Sequence, residues 1–151
     1  MKILGVRTSS KNVRYAILNN DSGSIIWENI NNNRLLYPKD MSGIAQKIVW
    51  LSKELRRILE QTPNIDKIVI KIPEYGRIDS ASNRASIYLD AVVILEATAR
   101  DIVIPVDLKT YRHLNTRSSE VKDFAECHIG RCNSYWDSTI ADALAAAYSE
   151  F

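Results

Sequence analysis

The sequence contains few cysteines, prolines and glycines, and it has no long apolar run. Cysteine is limited to Cys127 and Cys132, so no disulfide framework or paired zinc-ligand motif can be built from the 151 residues. The four prolines and five glycines are scattered, and no segment rich in them marks a linker. No apolar run approaches the ~20 residues of a membrane span, and the N-terminus lacks the features of a signal peptide. These absences predict a single domain over 1–151, cytoplasmic and without membrane contact.

Charge is nearly balanced overall but unevenly distributed along the chain. The formal net charge is +2, which is too small to indicate a nucleic-acid-binding protein by itself. Residues 1–75 contain 12 basic and 7 acidic side chains, whereas residues 76–151 contain 8 and 11. The mildly basic first half could contact phosphates or an acidic protein, although solvated surface accounts for many such charges.

Hydrophobic periodicity predicts three strands followed by alternating helices and strands. Strands are expected over 3–6, 13–18 and 24–30, with turn-forming residues between them, as in an antiparallel meander. Apolar residues from Ile44 to Ile58 recur at helical spacing. The remaining expected elements are strands over 67–72 and 102–106, and helices over about 82–100, 118–128 and 137–150. The helix over about 82–100 has apolar residues on two faces and is expected to be buried on more than one side.

This order of elements predicts an α/β domain with one mixed five-stranded sheet, three antiparallel strands then two parallel ones, and helices on both faces. Several segments also resemble a known family. Residues 2–6 followed by a polar turn, the strand over 67–70, residues 106–109 and the closing segment 140–147 resemble parts of the RuvC-type Holliday-junction resolvases and other RNase-H-like proteins. The chain is also similar to small uncharacterised RNase-H-like proteins that lack the catalytic carboxylates. The resemblance implies an RNase-H-like fold.

The active members of this family hold two divalent cations, Mg²⁺ or Mn²⁺, with a cluster of carboxylates. The resemblance places the first carboxylate at Arg7 and the second at Lys71, both of which are cationic here. It places the last two on the closing helix, where Thr139 replaces one and Asp142 matches the other. The resemblance therefore implies a catalytically degenerate protein that has lost the metal site and needs no cofactor.

Two carboxylates could in principle rebuild an active site with Asp142. Glu74 lies three residues after Lys71, and Asp137 lies five residues before Asp142. A step of five residues in a helix turns the side chain to another face, so Asp137 is better explained as a helix cap. A metal-dependent nuclease using Asp142, Glu74 and Asp137 therefore remains the weakest of three hypotheses.

The other two hypotheses are binding functions. The first is a nucleic-acid-binding module, and the second is a protein-binding module such as an immunity or inhibitor protein. The loop 73–77 follows a strand at the edge of the sheet where α/β folds place their ligands. Arg7 and Lys71 could form either an anion site or internal ion pairs, for example between Arg7 and Glu74. The candidate binding residues are Arg7, Lys71, Glu74, Tyr75, Arg77 and Lys109.

Overall fold

The structure is a computed structural model that describes residues 1–21, 23–76 and 79–151. These residues form six strands and four helices, a mixed α/β structure. The strands are β1 (Lys2–Thr8), β2 (Asn12–Asp21), β3 (Ser24–Trp27), β4 (Arg34–Leu36), β5 (Lys67–Lys71) and β6 (Val106–Lys109). The helices are α1 (Ile44–Gln61), α2 (Ala81–Thr98), α3 (Val121–His128) and α4 (Ser138–Tyr148).

The strands form one mixed sheet in the order β3-β2-β1-β5-β6, with β4 also paired to β2. β1 and β2 are antiparallel, whereas β5 is parallel to both β1 and β6. Helices α1 and α2 pack against one face, and α3 and α4 pack against the other. The predicted fold class, with three antiparallel segments followed by two parallel strands and helices on both faces, is confirmed.

The third predicted strand, 24–30, is wrong in its length, because the chain leaves the sheet after Trp27. The side chain of Asn29 replaces strand hydrogen bonds there: its Oδ1 accepts from Ile17 N at 2.7 Å, and its Nδ2 donates to Tyr15 O at 3.1 Å. The chain then returns as β4, which pairs with residues 12–14 of β2. One expected strand is therefore two short strands on the same side of β2, separated by an excursion over 28–33.

The last predicted strand, 102–106, is wrong in its position. Ile102 and Val103 are exposed on the surface, and the strand that pairs with β5 is Val106–Lys109. Pro105 has no amide hydrogen to donate, and it lies immediately before this edge strand. Its carbonyl still accepts a hydrogen bond from Ile68 N at 2.9 Å. The proline thus marks the start of the strand, and the apolar run before it is the connection from α2.

Helix α2 is buried on one side and exposed on the other, contrary to the expectation that it would be buried on more than one side. Leu89, Val92 and Val93 pack into the core, whereas Ile87 and Leu95 are exposed. No helix among the described residues is both long and apolar enough to cross a membrane.

Helix α4 lies unusually close to the sheet because both surfaces carry small residues. A Cβ placed on Gly5 of β1 would lie 1.9 Å from the backbone oxygen of Ala143 and 2.9 Å from Cβ of Ala147. Such distances are below van der Waals contact, so only glycine fits at this position. The close approach places Asp142, on the same helix, against the end of β1.

Candidate functional site

Five cationic side chains form a row across the sheet on the face that packs against α4. Strand register pairs Arg34 with Arg14 and Arg14 with Arg7, and it pairs Lys71 with Lys109. Arg7 Nη1 donates to Lys71 O at 2.8 Å, which joins the two halves of the row. Residues in cross-strand register point to the same face, and like charges placed there repel each other. The row, called the cation row below, therefore requires anionic compensation from outside the sheet.

Asp142 of α4 compensates Arg7 in the middle of the row. Arg7 Nε lies 3.2 Å from Asp142 Oδ2, and the Asp142 side chain is almost fully buried. The two groups form an ion pair rather than an aligned hydrogen bond, since Arg7 Nε makes no hydrogen bond. Burial raises the pKa of Asp142, and the positive charge of Arg7 partly offsets that rise. Removing Arg7 would leave this carboxylate without its nearest counter-charge.

Glu74 compensates Lys71, whose side chain is 1% exposed. Lys71 Nζ donates to Glu74 Oε1 at 2.9 Å and to Ile72 O at 2.7 Å. The ammonium group also lies 3.7 Å from the centre of the Tyr111 ring, within the range of a cation–π contact. Burial lowers the pKa of Lys71, and the hydrogen bond to Glu74 acts in the opposite direction.

Tyr111, just beyond β6, links the two ion pairs. Its hydroxyl donates to Asp142 Oδ1 at 2.8 Å, and its backbone N donates to Glu74 Oε1 at 2.9 Å. Burial and the neighbouring Asp142 charge raise the pKa of Tyr111 to about 12. Arg7, Lys71, Glu74, Tyr111 and Asp142 therefore form one connected network, the ion-pair cluster.

A third carboxyl group lies beside the ion-pair cluster. Asp90 of α2 is 5% exposed, and its Oδ1 accepts a hydrogen bond from Thr8 Oγ1 at 2.6 Å. Burial raises the pKa of Asp90 to about 7, although the Thr8 hydrogen bond and the charges of Arg7 and Lys71 oppose that rise. Arg7 and Lys71 already face Asp142 and Glu74, and their charges offset the effect of burial on Asp90 only in part.

The cluster does not fit a divalent cation. Mg²⁺ and Mn²⁺ require oxygen ligands, but Arg7 and Lys71 occupy two of the positions where the resemblance places carboxylates. The remaining carboxylates, Asp142 and Glu74, each bind one of these cations. Nowhere in the described part of the chain do three His, Cys, Asp or Glu side chains come together as a group that could hold a metal ion.

Asp137, the third carboxylate of the rearranged nuclease hypothesis, caps α4. Its Oδ1 accepts from Thr139 N at 2.9 Å and from Ile140 N at 3.0 Å. Thr139 Oγ1 also donates to this oxygen. Asp137 thus acts as the helix cap expected from the sequence.

The other predicted binding residues lie outside the ion-pair cluster. Lys109 is bound by Glu150 and by Ser149 Oγ near the end of α4. Tyr75 is 78% exposed and lines a groove with Ile87 and Leu108. Arg77 falls outside the described residues. The predicted roles of these residues in binding stay predictions.

Tyr111 and Asp90 are the members of this region that the sequence analysis missed. Asp90 has one signal, because it is a carboxylate next to the apolar run 91–95 of α2. Tyr111 continues the alternation of β6, two residues after Lys109, and it becomes a candidate only when that strand is placed at Val106–Lys109.

The sequence matches no protein-family model and no curated protein. Solved structures do match. RuvC of Thermus thermophilus in complex with a Holliday junction substrate has a TM-score of 0.77 at 12% identity, over 99% of this chain and 92% of that chain. The yeast mitochondrial Holliday junction resolvase has a TM-score of 0.59 at 16% identity, over 97% and 76%.

The fowlpox virus resolvase in complex with Holliday junction DNA has a TM-score of 0.55 at 18% identity, over 99% of this chain and 97% of that chain. At such low identity the likeness concerns the fold. The chain has an RNase-H-like fold similar to that of Holliday-junction resolvases, as its sequence predicted.

Proposed function

We propose that this RNase-H-like domain binds nucleic acid and does not cut it by two-metal chemistry. The observation that carries the proposal is the match of 99% of the chain to RuvC in complex with a Holliday junction. A second match, to a resolvase in complex with junction DNA, covers 97% of that chain. Fold alone does not determine function, so the site residues must supply the rest of the argument.

The ion-pair cluster supports loss of catalysis. Two-metal hydrolysis needs several carboxylates whose charge is available to the metal ions. Here Asp142 and Glu74 are bound by Arg7 and Lys71, and Tyr111 donates to both. A metal ion would have to displace these two cations and would be repelled by them. The cluster instead stabilises the junction of β1, β5, β6 and α4.

The distribution of charge supports binding of a polyanion. Residues 1–75 contain 12 basic and 7 acidic side chains, and the cation row has one member on each of β4, β2, β1, β5 and β6. The basic residues near its centre and its β6 end have carboxylate partners, but Arg34 at the opposite end forms no ion pair with any described residue. Phosphate contacts supply most of the affinity of non-specific nucleic-acid binding.

Fluorescence anisotropy with labelled four-way junction, duplex and single-stranded DNA, and with the corresponding RNAs, tests the binding proposal. We expect saturable binding at about 50 mM salt that weakens steeply towards about 200 mM, since counterion release governs phosphate contacts. Absence of binding to every probe at low salt would refute it.

A cleavage assay tests the catalytic part separately. With Mg²⁺ or Mn²⁺ we expect no cleavage by the wild-type protein. Metal-dependent cleavage that disappears in Asp142→Ala would instead support the rearranged nuclease with Asp142, Glu74 and Asp137. Loss of cleavage through unfolding is excluded first, by comparing the circular-dichroism spectrum of Asp142→Ala with that of the wild type.

A protein-binding role, such as that of an immunity or inhibitor protein, is the second candidate function. It is favoured by exposed apolar side chains on and near α2, including Ile87, Tyr88, Leu95 and Leu108. Clustered exposed apolar surface often marks a protein interface. The test is affinity purification with wild-type protein and with Leu95→Glu. A stoichiometric partner retained by the wild type and lost by the variant supports this role; equal recovery with both proteins contradicts it.

A further inference from the structure

The end of the cation row at β4 faces a pocket that the ion-pair cluster does not use. The excursion after β3 forms one wall, and residues 132–135 form the other; the enclosed volume is about 330 Å³. The polar lining includes Asn31, Asn32, Asn33, Arg34, Ser134 and Tyr135. No carboxylate occurs among the described residues that line this pocket, which is called the Arg34 pocket below.

Arg34 presents an unpaired guanidinium in this pocket. Its guanidinium carbon lies 4.6 Å from the centre of the Tyr135 ring, in a cation–π contact. Within the described ranges the side chain forms no ion pair, and its buried Nε has no hydrogen-bond partner. Stacking occupies the flat face of a guanidinium and leaves its N–H edge available for in-plane hydrogen bonds to an oxyanion. The pocket therefore has a donor group held in place without an acceptor.

Arg14 adds a second positive charge behind Arg34. It is 0% exposed, lies next to Arg34 in strand register, and has no hydrogen-bond partner at Nε or Nη1. Burial lowers the pKa of Arg14; the charge of Asp137 opposes this shift, and the neighbouring charge of Arg34 adds to it. Two adjacent guanidinium groups at low solvent exposure repel each other, and a bound anion would relieve that repulsion.

The nearest carboxylate, Asp137, compensates this pair only in part. Asp137 Oδ1 lies 4.0 Å from Arg14 Nε, which is too far for a hydrogen bond. The same oxygen already accepts hydrogen bonds from the backbone N of Thr139 and of Ile140. Asp137 is therefore shared with the start of α4, and its ion pair with Arg14 is longer than the 3.2 Å pair of Asp142 with Arg7.

Arg14 also positions the stacking partner of Arg34. Its Nη2 donates to Tyr135 O, and Tyr135 has a backbone φ of 57°. This left-handed conformation is unfavourable for a tyrosine and needs support from its surroundings. Arg14, Tyr135 and Arg34 thus form a connected unit at the pocket: one arginine holds the tyrosine backbone, and the tyrosine ring holds the other arginine.

We propose that the Arg34 pocket is a phosphate-binding site, in which Arg34 donates to the phosphate oxygens and Arg14 supplies positive potential from behind. This inference rests on the proposed function: the phosphate that binds in the pocket is a backbone phosphate of the bound nucleic acid. Asparagine and serine side chains on the walls offer further donors to the same oxygens.

The test compares Arg34→Gln with Arg57→Gln. The second variant also removes one arginine charge, but from an exposed side chain of α1, which packs on the opposite face of the sheet. Both variants are measured for nucleic-acid affinity across about 50 to 200 mM salt. Loss of one phosphate contact makes the negative slope of log affinity against log salt concentration less steep by about 0.9. Arg34→Gln should show this smaller slope. The factor by which it binds nucleic acid more weakly than wild type should therefore shrink by about 3- to 4-fold between about 50 and 200 mM salt. Arg57→Gln should match the wild type.

Titration with inorganic phosphate at constant ionic strength, followed by calorimetry, separates this inference from the proposed function. We expect saturable heat for wild type and Arg57→Gln and its loss in Arg34→Gln. Nucleic-acid binding with an unchanged salt slope in Arg34→Gln would overturn the inference while leaving the proposed function intact. If the wild type binds no nucleic acid, the proposed function fails. In that case, heat of phosphate binding that depends on Arg34 would still support a phosphate site in the Arg34 pocket. Absence of such heat would overturn the inference.

Discussion

Replacing Asp90 with asparagine probes the electrostatics around the ion-pair cluster. Asp90 accepts a hydrogen bond from Thr8 Oγ1 at 2.6 Å. Asparagine has nearly the same size and keeps an acceptor oxygen for Thr8, but it cannot ionise. The variant therefore removes one titration from the folded protein and leaves the packing of α2 in place. Any change in stability that depends on pH then reports the ionisation of Asp90.

The magnitude follows from the pKa of Asp90, which burial raises from 3.8 to about 7. At about 1.4 kcal/mol per pKa unit, this rise corresponds to about 4 kcal/mol. The folded protein binds this proton more tightly than the unfolded chain does. The contribution of Asp90 to stability is therefore fully present below pH 3.8 and is lost as the pH rises to about 7. Asp90→Asn does not undergo this loss.

Urea unfolding of wild type and Asp90→Asn between about pH 4 and pH 8 measures the effect. We expect the variant to gain stability relative to wild type as the pH rises, by up to about 4 kcal/mol. Asp101→Asn is the matched control, because Asp101 is exposed, and its difference from wild type should vary by less than about 0.5 kcal/mol. A difference for Asp90→Asn that is independent of pH, or that falls with rising pH, would refute the argument.

The other predictions concern the charge pairing, packing and capping of α4, and all are measured by urea or thermal unfolding. Arg7→Met should destabilise the fold by about 3–5 kcal/mol because Asp142 is left buried without a counter-charge, and adding Asp142→Asn should recover much of the loss; additive effects would contradict the coupling. Gly5→Ala should cost at least about 1–3 kcal/mol because its Cβ overlaps α4, whereas Gly43→Ala, where the nearest atom lies 3.8 Å away, should cost less. Asp137→Ala should cost about 0.5–2 kcal/mol through loss of the helix cap, and Asp137→Ser should restore most of it.

Elements with strong local periodicity could be predicted from the sequence, and elements defined by side-chain hydrogen bonds could not. The short apolar runs in β1 and β2 and the helical spacing in α1 reflect burial, which hydrophobicity records directly. The end of β3 depends on the amide group of Asn29 bonding to the backbone of β2. Asparagine is common in loops for several reasons, so its presence did not reveal that it ends the strand.

The ion-pair cluster was predicted in part. Arg7, Lys71, Glu74 and Asp142 were brought together by the resemblance, because each lies at or beside a family ligand position. Their actual pairing, Arg7 with Asp142 and Lys71 with Glu74, depends on side-chain geometry that spacing does not determine. Arg14 and Arg34 could not be joined in advance, because their contact requires β4, and the expected strand over 24–30 left no place for that strand.

The alanine-rich composition of α4 has a consequence for how precisely Asp142 is placed. Five buried residues of this helix, at positions 141, 143, 145, 146 and 147, are alanines. Alanine has no side-chain rotamers to lose on folding, so at these five positions docking the helix restricts no side-chain motion. The absence of a Cβ on Gly5 lets the backbone of the helix lie directly against β1. The position of a buried carboxylate within the cluster is thus determined by residues that themselves carry no polar side chain.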